Sequence, residues 1–267
     1  MDETRPNRWR KFTQDEVDSQ PENVPVEAAE GPDPSLPAER LLVALDFSDP
    51  LKAKNLAAEL APLGVGFKIG LELYMAGGPA LLEELASRYR IFLDLKFHDI
   101  PNTVSRAVKR AAAMGVWMVN VHASGGKAML EAAREALAET GGRRPLLFAV
   151  TVLTSMDEQA LAETGCSLGV QEQVMKLAAL AEECKLDGVV CSPLEVISVK
   201  KKFPGELLTV TPGIRPAGTE HNDQSRVAAP KEVIRAGGDY LVAGRPVTGA
   251  AKPFVAAEKI IREMGAE

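Results

Sequence analysis

The sequence has few cysteines and no long apolar run, and each of these gaps argues against a class of protein. No apolar stretch approaches the roughly 18 residues that a membrane-spanning helix needs, so we expect no membrane span. The three cysteines, Cys166, Cys184 and Cys191, show neither a CxxC motif nor a Cys/His ligand spacing. We therefore expect reduced thiols that mostly fill the core, and no structural zinc.

The chain also lacks an excess of positive charge. Its formal net charge is −6 over 267 residues, which argues against binding to nucleic acid or to an anionic membrane, although a local basic site stays possible. The first twenty residues carry charges but no apolar segment of a secretory signal, so we expect a cytoplasmic protein. A hydrophobic fraction of 46 % and a charged fraction of 25 % are typical of globular proteins.

Residues 1–38 differ in composition from the rest of the chain. They combine few large aliphatic residues with repeated prolines: Pro6, Pro21, Pro25, Pro32, Pro34 and Pro37. Such a segment cannot bury enough apolar surface to offset the entropy lost on ordering. We predict a disordered or loosely attached extension over 1–38, with a partner-binding arm as the alternative, and one catalytic domain over 39–267.

From residue 40 onward, short Val-, Ile- and Leu-rich runs alternate with amphipathic stretches. The runs predict strands at 41–47, 65–70, 91–97, 117–123, 146–153, 187–192, 207–213 and 239–244. Helical spacing is clearest at 51–64, 103–115, 126–142 and 171–184. Eight strands that alternate with helices predict a (β/α)8 TIM barrel. A doubly wound open sheet is the alternative, weakened because no GxGxxG follows the first strand.

Polar residues recur where these apolar runs end, and in a barrel those ends form the active-site face. A single polar residue at a strand end is weak support for a functional site, but the convergence of several such residues on one rim favours a functional site there. The residues are Asp46, Lys68, Asp94, Lys96, Asn120, His122, Thr154, Ser155, Arg215 and Arg245.

The stretch "DLKFHDIPNT" (94–103) is the most unusual of these strand ends. Strand side chains alternate between faces, so Asp94 and Lys96 point the same way, into the barrel mouth. Asp99 follows the turn, and Pro101 suits the first turn of a helix. Nearby carboxylates keep an ammonium charged, so Lys96 is a candidate proton donor rather than a Schiff-base nucleophile. The alternative is an ion-pair network that only braces the barrel mouth.

Two loops that combine glycine with arginine follow the seventh and eighth strands. "TPGIRP" supplies Gly213 and Arg215, and "VAGRPV" supplies Gly244 and Arg245. Glycine allows an anion to approach the backbone, arginine binds phosphate in a bidentate manner, and this is the usual phosphate site of the barrel. The polar segment that follows Arg215 is a candidate lid with Gln224 reaching inward, or else an ordinary surface loop.

Taken together, these motifs resemble the orotidine 5′-monophosphate decarboxylase family over roughly residues 40–260. "DLKFHDIPNT" is similar to the DxKxxDIPNT signature of that family, and "ALDF", "GFKIGLEL", "VTVLTSM", "TVTPGIRP" and "VAGRPVT" follow in the family's order. DxKxxD alone is shared with a wider group of sugar-phosphate decarboxylases and aldolases. "DIPNT" together with "LTS" and the late "GRP" is more specific.

The resemblance implies cofactor-free decarboxylation of orotidine 5′-monophosphate to uridine 5′-monophosphate in pyrimidine synthesis. It implies that Lys96 protonates the ring carbon and stabilises its developing charge, with Asp94 facing the scissile carboxylate. Asp46 and Lys68 would contact the ribose, and Thr154 and Ser155 the base. Gln224 would bridge base and phosphate, and the phosphate would meet Arg215, Gly244 and Arg245. It also implies a homodimer in which Asp99 and Thr103 enter the neighbouring subunit's site.

Two other functions stay open at this stage. One is a magnesium-dependent sugar-phosphate decarboxylase or aldolase of the same barrel group, which the lack of an extra acidic ligand argues against. The other is a non-catalytic phosphate-binding barrel, which the intact Asp94, Lys96 and Asp99 set argues against. His98 and His122 lack surrounding metal ligands in the sequence, so we expect supporting roles for them and no metal.

Overall fold

The eight predicted apolar runs form eight parallel strands. In the computed structural model, which describes residues 31–33, 35–140, 143–216 and 226–265, each strand pairs with the next and β1 also pairs with β8. The sheet is therefore a closed barrel, which confirms the TIM-barrel prediction over the open sheet. The strands are β1 Leu41–Ala44, β2 Gly66–Gly70, β3 Ile91–Phe97, β4 Met118–His122, β5 Leu146–Val150, β6 Gly188–Val190, β7 Leu208–Thr211 and β8 Tyr240–Ala243.

Helices connect the strands around the outside of the barrel. They are α1 Pro50–Leu60, α2 Leu71–Ala86, α3 Pro101–Ala113, α4 Lys127–Ala138, α5 Glu158–Glu163, α6 Val170–Glu183, α7 Val196–Lys202, α8 Pro230–Arg235, α9 Arg245–Thr248 and α10 Pro253–Met264. Asp49 caps α1 by accepting a hydrogen bond from the N–H of Leu51, and Gly64 ends the following turn with φ 77°. As predicted, α3 begins at Pro101.

Two apolar layers stabilise this arrangement. The larger layer lies between strands and helices and includes Leu41, Val43 and Leu45 of β1 and its extension. The smaller layer fills the barrel interior, and its buried members are Leu42, Ala44, Phe92, Met118, Leu146, Phe148, Val210, Tyr240 and Val242. Alternate residues of one strand thus face different layers, which is the period expected of a strand. On β3 the inward series begins at Phe92 and continues with Asp94.

The start of the barrel is held to its last strand. A 3₁₀ helix, Pro37–Arg40, crosses the predicted boundary at residue 39. The Arg40 guanidinium donates hydrogen bonds to the carbonyls of Gly238 and Asp239. The predicted extension lies mostly outside the described residues.

The three thiols, Cys166, Cys184 and Cys191, are free, and the last two are buried, as the sequence predicts. None of the described helices combines the length and the hydropathy that crossing a membrane requires.

Candidate active site

A cavity of about 430 Å³ opens at the carboxyl ends of the strands. Every strand end except that of β4 contributes residues to its wall, directly or through the loop that follows. The polar lining residues are Asp46, Lys68, Asp94, Lys96, Thr154, Arg215 and Arg245, and Gly213 and Gly244 lie beside them. Seven of the ten residues predicted to converge on one rim therefore line the cavity, whereas Asn120, His122 and Ser155 are not among its described lining residues.

Four charged side chains at or just beyond the ends of β1, β2 and β3 form a continuous chain of ion pairs. The Lys68 ammonium lies 2.8 Å from Asp46 Oδ1 and 3.5 Å from Asp94 Oδ2. The other Asp94 oxygen, Oδ1, lies 2.7 Å from the Lys96 ammonium. Acid and base thus alternate from Asp46 to Lys96, and the Asp94 carboxylate stands between the two lysines.

The surroundings of Lys68 keep it charged. Burial on its own would lower its pKa, but the negative charges of Asp94 and Asp46 outweigh burial and raise the pKa above the ordinary lysine value. Gly70 makes room for this pair, because a Cβ there would lie 3.0 Å from the Lys68 ammonium and 3.3 Å from Asp46. Lys68 is therefore a fixed positive charge under one edge of the cavity.

The backbone at Lys96 departs from regular strand geometry. Lys96 has φ 52°, a left-handed conformation that is costly for a residue with a side chain. The β3–β4 ladder is irregular here, since Leu93 pairs with Val119 but Phe97 pairs with Val121. Asp94 and Lys96 both face the cavity, as the alternation rule predicts, yet this irregular segment and not a plain strand positions them.

Asp99 and Thr103 are not among the described residues that line the cavity. Both are exposed, and Asp99 Oδ1 accepts a hydrogen bond from the N–H of Ile100 at 2.6 Å. Ile100, an apolar residue between them, is 66 % exposed. These residues of "DIPNT" therefore lie outside the lining of their own cavity.

The loops after β7 and β8 bring the two arginines and the two glycines predicted for phosphate to the cavity wall. Gly213 has φ 86°, which a residue with a side chain rarely adopts, and Arg215 is buried with its Nη1 donating to the carbonyl of Ile214. Gly244 precedes α9, and Arg245 is the first residue of that helix. Arg215 and Arg245 thus both line the cavity.

The β5 loop contributes one of its two predicted polar residues to the cavity wall. Thr154 lines the cavity, whereas Ser155 is exposed and is not among the described lining residues. Gln224 lies outside the described residues. The wall around Thr154 is apolar, and sequence reasoning did not single out its members, Phe92, Val150, Val152, Leu153, Val190, Val210 and Val242.

A buried ion pair behind this wall was also missed. Arg226 Nη1 lies 2.5 Å from Glu195 Oε1, with side chains 10 % and 5 % exposed. Arg226 Nη2 donates to the carbonyl of Leu153, and Glu195 Oε2 accepts from the N–H of Ser192. The pair therefore ties the loops after β5, β6 and β7 together. Charged residues in irregular loops carry no periodicity, so no sequence pattern indicated this pair.

The two histidines near the network pack against each other. The rings of His98 and His122 are 5.4 Å apart between centroids. Burial lowers the pKa of His122, the neighbouring His98 and Lys96 lower it further, and Asp94 opposes them. In the described part of the chain, no group of three or more His, Cys, Asp and Glu side chains could hold a metal ion.

Comparisons with known proteins agree with this geometry. The model of the family described as "Orotidine 5'-phosphate decarboxylase / HUMPS family" matches residues 39–260. The orotidine 5'-phosphate decarboxylase of Halorhodospira halophila is 52 % identical over 228 residues, 85 % of this chain and 96 % of that protein. The one from Saccharophagus degradans is 49 % identical over 231 residues, 86 % and 97 % of the two chains.

Solved structures support the same assignment. The crystal structure of orotidine 5'-phosphate decarboxylase from Lactobacillus acidophilus has a TM-score of 0.77 and 39 % sequence identity, and the match covers 85 % of this chain and all of that one. With a family match over most of the chain and relatives near 50 % identity, the protein belongs to the orotidine 5'-phosphate decarboxylase / HUMPS family.

Proposed function

We propose that the protein converts orotidine 5′-monophosphate to uridine 5′-monophosphate and CO2 in pyrimidine nucleotide synthesis, without a cofactor. The observation that carries this proposal is the contact between Lys96 and Asp94 inside a cavity that two arginines also line. The identity of the substrate is inferred from the relatives, which are named orotidine 5'-phosphate decarboxylase. The three free thiols fit an enzyme of the reducing cytoplasm.

Substrate binding divides between the two sides of the cavity. Arg215 and Arg245 bind the phosphate, with the backbone at Gly213 and Gly244 close to its oxygens. The pyrimidine lies against the apolar wall, where Thr154 meets its polar edge. Gln224, which lies outside the described residues, is proposed to bridge base and phosphate. Asp46 and Lys68 hold the ribose hydroxyls. This orientation places the substrate carboxylate near Asp94.

The chemical step needs one proton and no electron acceptor. The bond between the ring carbon and the carboxylate breaks, CO2 leaves, and the electron pair stays on the ring carbon. The Lys96 ammonium stabilises this charge by its position and then gives its proton to the carbon. Lys96 afterwards takes a proton from solvent. Binding energy gained at the distant phosphate helps to lower this barrier.

We also propose a homodimer with shared sites. Asp99 and Thr103 are exposed and lie outside the lining of their own cavity, and Ile100 between them offers an apolar contact. In the dimer, Asp99 completes the alternating charge chain beyond the partner's Lys96. A membrane or a nucleic acid has no part in this function.

A direct assay tests the activity. Purified protein is mixed with orotidine 5′-monophosphate, with and without excess chelator. The loss of substrate absorbance is followed, and the formation of uridine 5′-monophosphate is measured by chromatography. We expect turnover in both conditions. If the protein does not turn over this substrate but turns over a sugar phosphate in the presence of magnesium, the result would instead support a magnesium-dependent sugar-phosphate decarboxylase or aldolase.

A further inference from the structure

Asn120 is a polar residue in the barrel interior to which the proposed reaction assigns no task. It lies on β4 and its exposed fraction is 0 %. Its side chain bridges two groups of the neighbouring strand. The amide oxygen accepts a hydrogen bond from the Lys96 N–H at 2.8 Å, and the amide nitrogen donates to Asp94 Oδ1 at 2.7 Å.

These bonds close a ring around the lysine. Asp94 Oδ1 is also the oxygen that the Lys96 ammonium contacts at 2.7 Å. Asn120 therefore holds the backbone end of Lys96 directly and the ammonium end through Asp94. Both ends of one lysine are fixed by one amide, whose orientation follows from the two bonds, since a carbonyl oxygen must face the N–H and an NH₂ group must face the carboxylate.

The position of the ring coincides with the irregular part of the barrel. Asn120 lies between Val119 and Val121, the two residues of β4 that pair with Leu93 and Phe97 across the irregular stretch of β3. There the backbone N–H of Lys96 bonds to a side chain instead of a strand carbonyl. The left-handed φ of 52° at Lys96 is thus stabilised by a bond that only Asn120 supplies among the described residues.

From this geometry we propose that Asn120 is a positioning residue for the chemical step, a role that rests on the proposed function. Its amide oxygen holds Lys96 in the left-handed conformation that directs the ammonium into the cavity. Its NH₂ group holds the Asp94 carboxylate in place, and Asp94 in turn holds the Lys96 ammonium. Both effects act on turnover and not on affinity for the phosphate.

Two substitutions of Asn120 separate the two bonds. Asn120→Asp keeps an oxygen acceptor for the Lys96 N–H but places a second carboxylate against Asp94. Two adjacent carboxylates share a proton, so the pair titrates with one raised apparent pKa. While that proton is bound, it replaces the lost donor. Asn120→Leu removes both bonds at similar volume.

We expect Asn120→Leu to lower kcat at least 30-fold with KM changed less than 3-fold. For Asn120→Asp we expect a deficit relative to the natural protein that shrinks as the pH falls from 8.5 to 5.5. A residue that serves only packing would give a loss of kcat that does not vary with pH.

Thr209→Val is the matched control, since Thr209 is equally buried but bonds to Asp239. It should lower the melting temperature and leave the pH profile of kcat unchanged.

The outcomes distinguish failure of this inference from failure of the proposed function. If the natural protein does not decarboxylate orotidine 5′-monophosphate, the proposed function is wrong. If it does, and Asn120→Leu keeps normal kcat or the deficit of Asn120→Asp is constant with pH, the positioning role is overturned. Retained binding of uridine 5′-monophosphate, measured by calorimetry, shows that each variant is folded. An Asn120→Leu variant that does not fold leaves the decision to Asn120→Asp.

Discussion

The two halves of the barrel mouth are built in opposite ways. On the β1–β4 side, charged and amide side chains stand on the strands or immediately beyond them, from Asp46 to Asn120. On the β5–β8 side, the strand residues that line the cavity are apolar, such as Val150 and Val210, and the polar groups come from the loops that follow. We call the β1–β4 side the strand side and the β5–β8 side the loop side. Strands hold side chains more rigidly than loops do, so the groups that require exact placement stand on the strand side.

This difference separates chemistry from binding. A substitution on the strand side removes a group whose position relative to the reacting carbon matters, so it should reduce kcat. A substitution on the loop side removes a contact to the phosphate. It should act mainly on KM and, because part of that binding energy also lowers the barrier, less strongly on kcat. The predictions below test that separation.

The largest effect is expected for Lys96→Ala. If Lys96 supplies both the stabilising charge and the proton, kcat falls by several orders of magnitude, where each factor of ten corresponds to about 1.4 kcal/mol. Binding of uridine 5′-monophosphate should survive, because the loop side is intact. Lys54→Ala, which removes an exposed lysine paired with Glu84, is the control and should be fully active. Near-normal turnover of Lys96→Ala would remove Lys96 from the mechanism.

Subunit exchange extends the test to Asp99. Asp99→Ala and Lys96→Ala homodimers should both be nearly inactive. When they are mixed and allowed to exchange, each heterodimer contains one site with both defects and one with none. Activity should return toward one intact site per heterodimer. If mass spectrometry confirms exchange and no activity returns, Asp99 acts within its own chain or the proposed dimer is wrong.

The Arg226–Glu195 pair tests whether the loop side has a rigid element of its own. Breaking a buried ion pair leaves an uncompensated charge, so Arg226→Met or Glu195→Gln should lower the free energy of unfolding by roughly 3–5 kcal/mol. The exposed pair of Arg262 and Glu258 is the control, and Arg262→Met should cost less than about 1 kcal/mol. Urea unfolding measures both. Equal losses would show that burial does not strengthen the Arg226 pair.

Arg245→Ala should produce the clearest loop-side effect. A hydrogen bond to a charged group contributes about 1.5–3 kcal/mol, so kcat/KM for the phosphorylated substrate should fall about 10- to 150-fold. The bare nucleoside offers this guanidinium no partner, and its slow turnover should be unchanged. Equal losses for both substrates would contradict the phosphate assignment. Arg262→Ala, far from the cavity on α10, controls for a general effect of losing positive charge.

The strands and the strand-side residues could be predicted because each depends on local pattern. Runs such as 91–97 set the strand, and period-two alternation places Asp94 with Lys96. The left-handed backbone at Lys96 could not be predicted, since it arises from the mismatch between β3 and β4. The predicted helices also omitted α2, whose periodicity is interrupted by a non-helical Gly78 and by Pro79, and they omitted α5 and α7 to α10. The link between Arg226 and Glu195 depends on tertiary contact alone.

The smallest effect concerns His122, beside the strand-side network. Burial and the positive charges of His98 and Lys96 lower its pKa below the ordinary value of 6.5, against the opposing pull of Asp94. The unfolded chain therefore binds a proton at a pH where the folded His122 stays neutral. Its contribution to stability is fully present above about pH 6.5 and is lost as the pH falls toward the folded pKa.

In urea titrations between pH 7.5 and 5.0, the free energy of unfolding of His122→Gln should fall less steeply than that of the natural protein. The loop side has no such group among its described residues, so Arg245→Ala should keep the natural slope. Identical slopes for His122→Gln and the natural protein would show that acid destabilisation originates elsewhere in the barrel.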